Sequence, residues 1–291
     1  MGVLQDANRK QIAGRRRLDF ALHLLFVAAT SVGVVVLMAL LVDILIDGAS
    51  RLQPDLFNQY PSRRASQAGM KSAIVGSLYM LVIMAPLSFV LGVGAAIYLE
   101  EYAPKNRLTR LIQLNISTLA GVPSIVYGIL GLAIFVRAMQ LDRSLLAGAL
   151  TMTLLVLPII IVSSQEAIRA VPRSRREASF ALGANKWQTV ARAVLPSAFP
   201  GILTGVILAM SRAIGETAPL VMIGAMTYVA FLPNDLLDSF TVMPIQIYNW
   251  IARPQAEFRE LAAAGIVVLL AVLLLMNFAA ILLRNKYNKK V

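Results

Sequence analysis

The sequence contains no cysteine, a single histidine and few charged residues, and the first two shortages exclude particular kinds of chemistry. Without cysteine the chain has no disulfide bond, no thiolate metal site and no cysteine nucleophile. A zinc site built on His23 alone is not expected, because zinc draws several ligands from histidine and cysteine. We therefore expect neither a metal site nor catalytic residues in this chain.

The shortage of charge indicates where the protein resides. Only 14% of the residues are charged and 58% are hydrophobic, and the mean hydropathy is +0.72. So few charges cannot cover a surface on all sides, so much of the outside must face lipid. The net charge of +12 could suggest a nucleic-acid partner, but the basic residues cluster at the ends of apolar runs, as membrane topology requires. We expect an all-α integral membrane protein with no nucleic-acid partner.

Six apolar stretches are each long enough to cross about 30 Å of hydrocarbon, which takes about 20 helical residues. The first is much longer than the roughly 7–15 apolar residues of a signal peptide, so we interpret it as a retained membrane helix. Prolines inside several stretches favour a packed bundle, because neighbouring helices must satisfy the freed carbonyls. The predicted spans are 19–46, 72–98, 112–137, 145–166, 198–230 and 262–283.

The distribution of lysine and arginine predicts the orientation. The side that holds both chain ends and the loop of residues 168–197 carries more than twice as many basic residues as the other side, so it is expected to be cytoplasmic. This gives a cytoplasmic segment 1–18 and a transmembrane domain 19–291 with its core at 72–284. On the other side, we expect Tyr248 and Trp250 to anchor a short helix at the membrane interface.

The loop of residues 168–197 is polar and charged between two apolar stretches. Ser174 is a candidate N-cap and Gly183 a candidate helix stop, which predicts a short helix between them. Ala178, Ala181 and Leu182 have helical spacing, so they would form one small apolar face. Such a face is suited to entering a groove on another protein, although an ordinary amphipathic loop is the alternative.

This loop resembles the signature of membrane permeases of bacterial ATP-binding-cassette importers. Glu177-Ala178-Ser179, Gly183 and Leu195-Pro196 have the spacing of the family's E-A-A motif, with Ser179 in place of a second alanine and Ala193 in place of an isoleucine. The resemblance implies a type I importer permease fold, and it implies that the loop carries a coupling helix seated in an ATPase. The residues it implies for ATPase coupling are Glu177, Ala178, Ser179, Gly183, Ala184, Trp187, Leu195 and Pro196.

The chain has no G-x-x-x-x-G-K-[ST] phosphate loop. Any ATP-driven work must therefore belong to a separate subunit, which would use ATP and magnesium. We expect this chain to bind no cofactor itself.

Arg212 is an unusual residue in the fifth stretch, about 14 residues from its start, which at about 1.5 Å per residue places it near the middle of the bilayer. An arginine there costs about 3 kcal/mol or more unless it faces a partner or a wet cavity. Glu216 lies four residues on and can pair with it, and Pro219 would free the carbonyl of Gly215. Arg212 is suited to favour a passing oxyanion, with a purely structural ion pair as the alternative.

The stretch from Arg212 to Pro219, R-x-x-G-E-T-A-P, together with Leu119–Gly128, resembles the A-type permease subunits of the phosphate-specific (Pst) importers. This resemblance implies a bacterial inner-membrane complex that moves inorganic phosphate. Its partners would be a second homologous permease, two ATPase subunits and an extracytoplasmic phosphate-binding protein. The implied pathway residues are Arg212, Glu216 and Thr217, with Ser124 and Tyr127 as further candidates for which helix packing is the alternative role.

Three other functions remain open at this point. A permease for another oxyanion, such as molybdate or sulfate, would keep the coupling loop but give Gly215, Glu216 and Thr217 no role. A channel or ion-coupled carrier would need acidic residues deep inside the membrane, and only Glu216 lies near the middle of a predicted span. An assembly or signalling protein would leave Arg212 unexplained.

Overall fold

The computed structural model describes residues 2–225 and 228–288, and α-helices form most of the regular structure in them. The positions of Lys289 and Lys290, and the side chains of segment 1–18, lie outside what it describes. The helices are α1 (Gly2–Ala49), α2 (Pro54–Asn58), α3 (Lys71–Ile97), α4 (Arg107–Leu119), α5 (Ser124–Gly131), α6 (Leu145–Arg169), α7 (Arg173–Ala181), α8 (Lys186–Thr189), α9 (Leu195–Gly215), α10 (Ala218–Ile223), α11 (Met243–Ile251) and α12 (Ala256–Asn288). Short π-helical turns extend α3 (Tyr98–Tyr102) and α5 (Leu132–Ala138) and join α8 to α9 (Val190–Val194).

The membrane spans agree with the expected all-α architecture. Within the described residues, five helical stretches are long and apolar enough to cross a membrane: 19–49, 71–102, 145–169, 186–215 and 256–286. A sixth is present if α4 and the bent helix after it count as one span. The prediction of about six transmembrane helices is confirmed.

The third predicted span, 112–137, is not one straight helix. The chain turns by 105° between α4 and the helical segment 124–138. Pro123 lies in this turn, where it disfavours a helical conformation for Val122 before it. The phenol of Tyr127 donates a hydrogen bond of 2.9 Å to the carbonyl oxygen of Leu119 at the end of α4, which also accepts from the N–H of Val122 at 3.1 Å.

The fifth predicted span, 198–230, is also interrupted, because α9 ends at Gly215. The backbone of Glu216 is extended (φ −75°, ψ 130°), and the short helix α10 begins at Ala218. Pro219 therefore lies in the first turn of a new helix, where its missing N–H removes no hydrogen bond. The expectation that it frees the Gly215 carbonyl from within a helix was wrong.

The main core lies between α3, α6 and α9, where small residues let the helices approach closely. A Cβ added at Gly92 would lie 2.6 Å from the side chain of Ile160 across the α3–α6 contact. On the other side of α6, Gly205 faces Ser163 at similarly short range. Glycine at these positions is what close helix packing in a membrane needs.

A second cluster of buried residues lies where α2, α3, α11 and α12 meet. Trp250 of α11 is fully buried there, among Leu56, Met70 and Phe258. The expectation that Trp250 anchors α11 at the membrane interface was therefore wrong, because its indole contacts protein. Tyr248, two residues earlier, leaves about half of its surface exposed.

Helix α1 contacts the rest of the chain mainly along α12. Gly48 lies directly against the backbone of Ala264, and most of the apolar residues from Phe20 to Ile46 are exposed. An apolar helix with so little of its surface covered is suited to lipid or to another subunit.

The tightest contact between α5 and α10 predicts a destabilising substitution. A Cβ at Gly128 would lie 2.7 Å from the Cα of Pro219 and 2.8 Å from its carbonyl oxygen. We predict that Gly128→Val lowers the free energy of unfolding by about 1–3 kcal/mol, because neither backbone can yield without moving a helix. Thermal unfolding of the purified protein in detergent measures this. Gly94→Ala is the control, because a Cβ there meets no atom within 4 Å. Equal stability of the two variants would contradict the close contact.

Candidate functional site

The two interrupted helices of this chain meet each other. Gly128 of α5 packs against Pro219 and Met222 of α10, so the stretch Leu119–Gly128 lies beside the break that follows Arg212. Discontinuous helices at membrane depth commonly form the binding sites of transporters, because their ends present unpaired backbone groups to a cavity. The two stretches that carry the family resemblance therefore form one region of the structure.

The packing of α9 on α6 gives the depth of Arg212. Gly201 faces Ala167 and Gly205 faces Ser163, so the two helices run antiparallel. Continued along both helices, this register places Arg212 about level with Val156. Val156 is close to the middle of the 25-residue span α6. The structure thus agrees with the depth estimated from the sequence.

Arg212 and Glu216 form an ion pair across the end of α9. The Nε of Arg212 lies 3.2 Å from Oε1 of Glu216, as their spacing predicted. Half of the Arg212 side chain is exposed, whereas 18% of Glu216 is. Leu208 and Gly215 lie on the same exposed face of α9. This chain therefore holds one side of the guanidinium and leaves the other side open.

A cavity of about 520 Å³ lies next to the break between α9 and α10. Its lining is mainly apolar and includes Thr217 at the break, Ile125 of α5 and Tyr248 of α11. Ser124 begins α5 one residue before Ile125 and does not line this cavity. Thr217 lies at the break directly after Glu216, which pairs with Arg212, so the three main pathway candidates lie close together.

Tyr127 has a different position. Its ring is 6% exposed and its hydroxyl is engaged by the Leu119 carbonyl. These contacts fit the alternative role of helix packing, because they hold the turn between α4 and α5.

The polar loop forms the expected short helix, α7, with one correction. It begins after Pro172, which makes no side-chain cap, so Ser174 is not the N-cap. At the other end Gly183 has a φ of +81°, and its N–H donates to the Phe180 carbonyl oxygen while Ala184 N–H donates to that of Ser179. This pair of bonds is the Schellman arrangement, which favours glycine. The predicted helix stop at Gly183 is confirmed.

The outer face of this loop carries large apolar side chains. Leu182 is 89% exposed and Trp187 66% exposed, and Phe180, which the sequence interpretation passed over, is about half exposed. Glu177, Ala178 and Pro196 are also exposed, whereas Ser179 bonds inward to Thr189 and Leu195 packs partly on the core. Exposed leucine and tryptophan beside charged residues mark a surface for another protein.

The sequence interpretation missed the residues that hold this loop to the bundle. Glu100 pairs with Arg169, and Glu101 pairs with Arg176 of α7. The signal was two consecutive acidic residues at the end of an apolar stretch. Their partners lie about 70 residues away, so spacing alone could not identify them.

The position of Tyr127 predicts a structural effect. We expect Tyr127→Phe to lower the free energy of unfolding by about 0.5–1.5 kcal/mol, because the Leu119 carbonyl loses one of its two donors and keeps only the N–H of Val122. Thermal unfolding in detergent measures the loss. Transport, which the resemblance implies, should remain. An unchanged stability with lost transport would instead place the phenol in the pathway.

Known proteins are similar to this chain in sequence and in fold. Residues 88–290 match the family described as "Binding-protein-dependent transport system inner membrane component". The chain is 33% identical to "Probable ABC transporter permease protein YqgI" of Bacillus subtilis (strain 168), covering 88% of this chain and 91% of that one. It is 32% identical to "Phosphate transport system permease protein PstA" of Yersinia pestis, covering 96% and 94%. A chain of a bacterial alginate ABC transporter, solved in complex with an alginate pentasaccharide-bound periplasmic protein, has the same fold with a TM-score of 0.65, at 13% identity over 91% of this chain and 93% of that chain. Both resemblances stated from the sequence are confirmed, and the chain belongs to the family of binding-protein-dependent transport system inner membrane components.

Proposed function

We propose that this chain is a permease subunit of an ATP-driven phosphate importer and forms half of the pathway for inorganic phosphate across the bacterial inner membrane. The observation that carries the proposal is Arg212, which lies at the depth of a helix break with half of its side chain open. The relationship to a protein named as a phosphate transport permease supports the choice of cargo.

The chemistry of the pair suits a passing anion. The planar guanidinium of Arg212 offers paired N–H donors that match two oxygens of a phosphate. Glu216 bonds only to Nε in this structure, which leaves the terminal nitrogens of Arg212 for the cargo. Phosphate and the Glu216 carboxylate repel each other, so binding stays weak enough for release. Transport needs weak and exchangeable binding of this kind, because a deep trap would stop turnover.

The exposed surfaces of the chain support a set of partners for the proposed importer. A second, homologous permease would cover the exposed side of Arg212 and complete the pathway. ATPase subunits would seat the face of α7, where Leu182 and Trp187 are exposed, and would supply the ATP and Mg²⁺ chemistry that this chain lacks. An extracytoplasmic binding protein would deliver phosphate to the opposite end. In this arrangement residues 1–18, the 168–197 loop and the end of the 19–291 domain are cytoplasmic.

Arg212→Ala tests the pathway role. We predict that it reduces uptake of radiolabelled phosphate by reconstituted vesicles at least about a hundredfold, because the sequence has no other lysine or arginine in the stretch 198–230. Arg137→Ala is the control, since it removes an exposed arginine at the end of the segment 124–138. The assembled complex must be recovered in equal amounts. Normal uptake by Arg212→Ala would remove the pathway role, and stronger competition by sulfate or molybdate than by unlabelled phosphate would replace phosphate with that oxyanion.

The exposed face of α7 predicts a separate effect on assembly. We expect Leu182→Asp to lower recovery of the ATPase with the permease at least about tenfold, because a buried leucine side chain contributes about 1.5–3 kcal/mol to an apolar contact. Co-purification measures this. Leu237→Asp, at an exposed leucine of the opposite end, should leave ATPase recovery unchanged. Equal recovery of ATPase with both variants would contradict the docking role of Leu182.

A further inference from the structure

Three consecutive residues at the end of α3 contact three basic residues of the polar loop. Glu100 pairs with Arg169, and Glu101 pairs with Arg176. The ammonium of Lys186 lies over the ring of Tyr102, 5.1 Å from its centroid. We call this set of six residues the clasp. It joins α3 to the last residue of α6, to α7 and to the start of α8, although α3 and the loop are far apart in sequence.

Arg176 is the best-bonded member of the clasp. Its guanidinium donates to Oε1 of Glu101 from Nη2 at 2.9 Å and from Nε at 3.3 Å. It also donates to the carbonyl oxygens of Val171 at 2.7 Å and Ile168 at 3.0 Å. Both partners of the ion pair are largely shielded, with 22% and 13% of their side chains exposed. A guanidinium held by four bonds of this kind orients α7 relative to α3 and α6 together.

The turn that carries the acidic residues of the clasp is not ordinary α-helix. Residues Tyr98–Tyr102 form a π-helical turn that continues directly from α3. Such turns are rare and are frequently found at functional positions, because they change the direction in which successive side chains leave the helix. Here Glu100 reaches the end of α6 while Glu101 reaches α7.

The opposite end of α3 is bonded to the segment that follows the broken helix. The hydroxyl of Ser72 donates to the carbonyl oxygen of Val229 at 2.8 Å, and the N–H of Met243 donates to the hydroxyl of Ser77 at 2.9 Å. Gly76, between these serines, lies directly against the carbonyl oxygen of Thr241. All three contacts are buried. Helix α3 therefore has specific contacts at both ends, one set to the coupling loop and one to the chain beyond Arg212.

We propose that the clasp makes α3 the element that carries movement of α7 to the segment of residues 228–242, and so links the ATPase to the far side of the pathway. The inference rests on the proposed function, because it assumes an ATPase that moves α7. Ser72 and Ser77 then transmit the displacement of α3 to Val229, in this segment, and to Met243, which directly follows it. Packed side chains, hydrogen bonds and rigid helices carry energetic coupling of this kind, and these residues together with α3 form such a connection. Arg176 and Glu101 act as positioning residues, since neither lies near Arg212.

A double-mutant cycle on the Arg176–Glu101 pair tests the proposal. The variants are Glu101→Ala, Arg176→Ala and the double variant, each reconstituted as the whole complex. We expect each single variant to assemble and hydrolyse ATP, while phosphate transported per ATP hydrolysed falls about fivefold or more. The double variant should be no worse than the worse single variant, because both remove one link. Glu257→Ala is the control, since it removes an exposed carboxylate of α12 that is not part of the clasp and should keep the wild-type ratio.

A wild-type ratio in Glu101→Ala, or additive losses in the double variant, would overturn the proposal. If the clasp were merely structural, the variants would lose assembled complex, and the complex that remained would transport as much phosphate per ATP as wild type. That result would also count against the proposal.

A second measurement does not depend on the cargo. Because the chain has no cysteine, Leu237→Cys and Ile46→Cys, both at exposed positions, can each carry a spin label. Trapping the complex with ATP should change the distance between the labels in wild type and leave it unchanged with Glu101→Ala. An equal change in both would overturn the clasp. A wild-type complex that shows the change without phosphate uptake would instead refute the proposed function and support the clasp.

Discussion

The close contact between Gly128 and Pro219 is the constraint on which the site depends. A membrane interior offers no water to unpaired backbone groups, so an interrupted helix persists there only where protein or a cavity receives its ends. Here α5 and α10 satisfy that condition by packing their interrupted regions against each other, with Tyr127 holding the Leu119 carbonyl on one side. The extended backbone at Glu216 becomes possible for this reason, and it presents the Arg212–Glu216 pair at the end of α9 rather than inside it.

Charged groups in a setting with little water need bonding partners, and Arg212 and Arg176 find them in different ways. Arg212 at membrane depth keeps one partner and one open side, which is the arrangement expected for a group that must bind and release. At the end of α3 that contacts the polar loop, by contrast, Arg176 donates to the Glu101 carboxylate and to the carbonyl oxygens of Val171 and Ile168, which suits the transmission that we propose for it. The guanidinium group therefore serves in two ways in this chain. Arg212 keeps donors open for an exchangeable partner, whereas Arg176 uses its donors in fixed hydrogen bonds.

The parts of this structure that depend on local patterns were accessible from the sequence. The number of spans followed from apolar length, the stop of α7 from Gly183, and the ion pair from the four-residue spacing of Arg212 and Glu216. The two helix breaks were not predicted, because a proline such as Pro86 remains inside α3 while Pro123 marks a 105° turn. What distinguishes them is the tertiary packing around each proline. Trp250 was misplaced for the same reason, since its indole is equally suited to an interface and to the cluster that buries it.

The proposed pathway would belong to an assembly, because large parts of this chain's surface are uncovered. One side of Arg212, nearly all of Leu182 and most of the apolar surface of α1 are uncovered in this chain. A guanidinium at that depth is costly against lipid and is stabilised by a polar partner or water. The open side of Arg212 is therefore suited to another protein or to a wet channel, as the proposed assembly would provide. In the proposed channel an entering anion would stabilise Arg212, so the stabilisation of the buried cation and the selection of the cargo would depend on the same interaction.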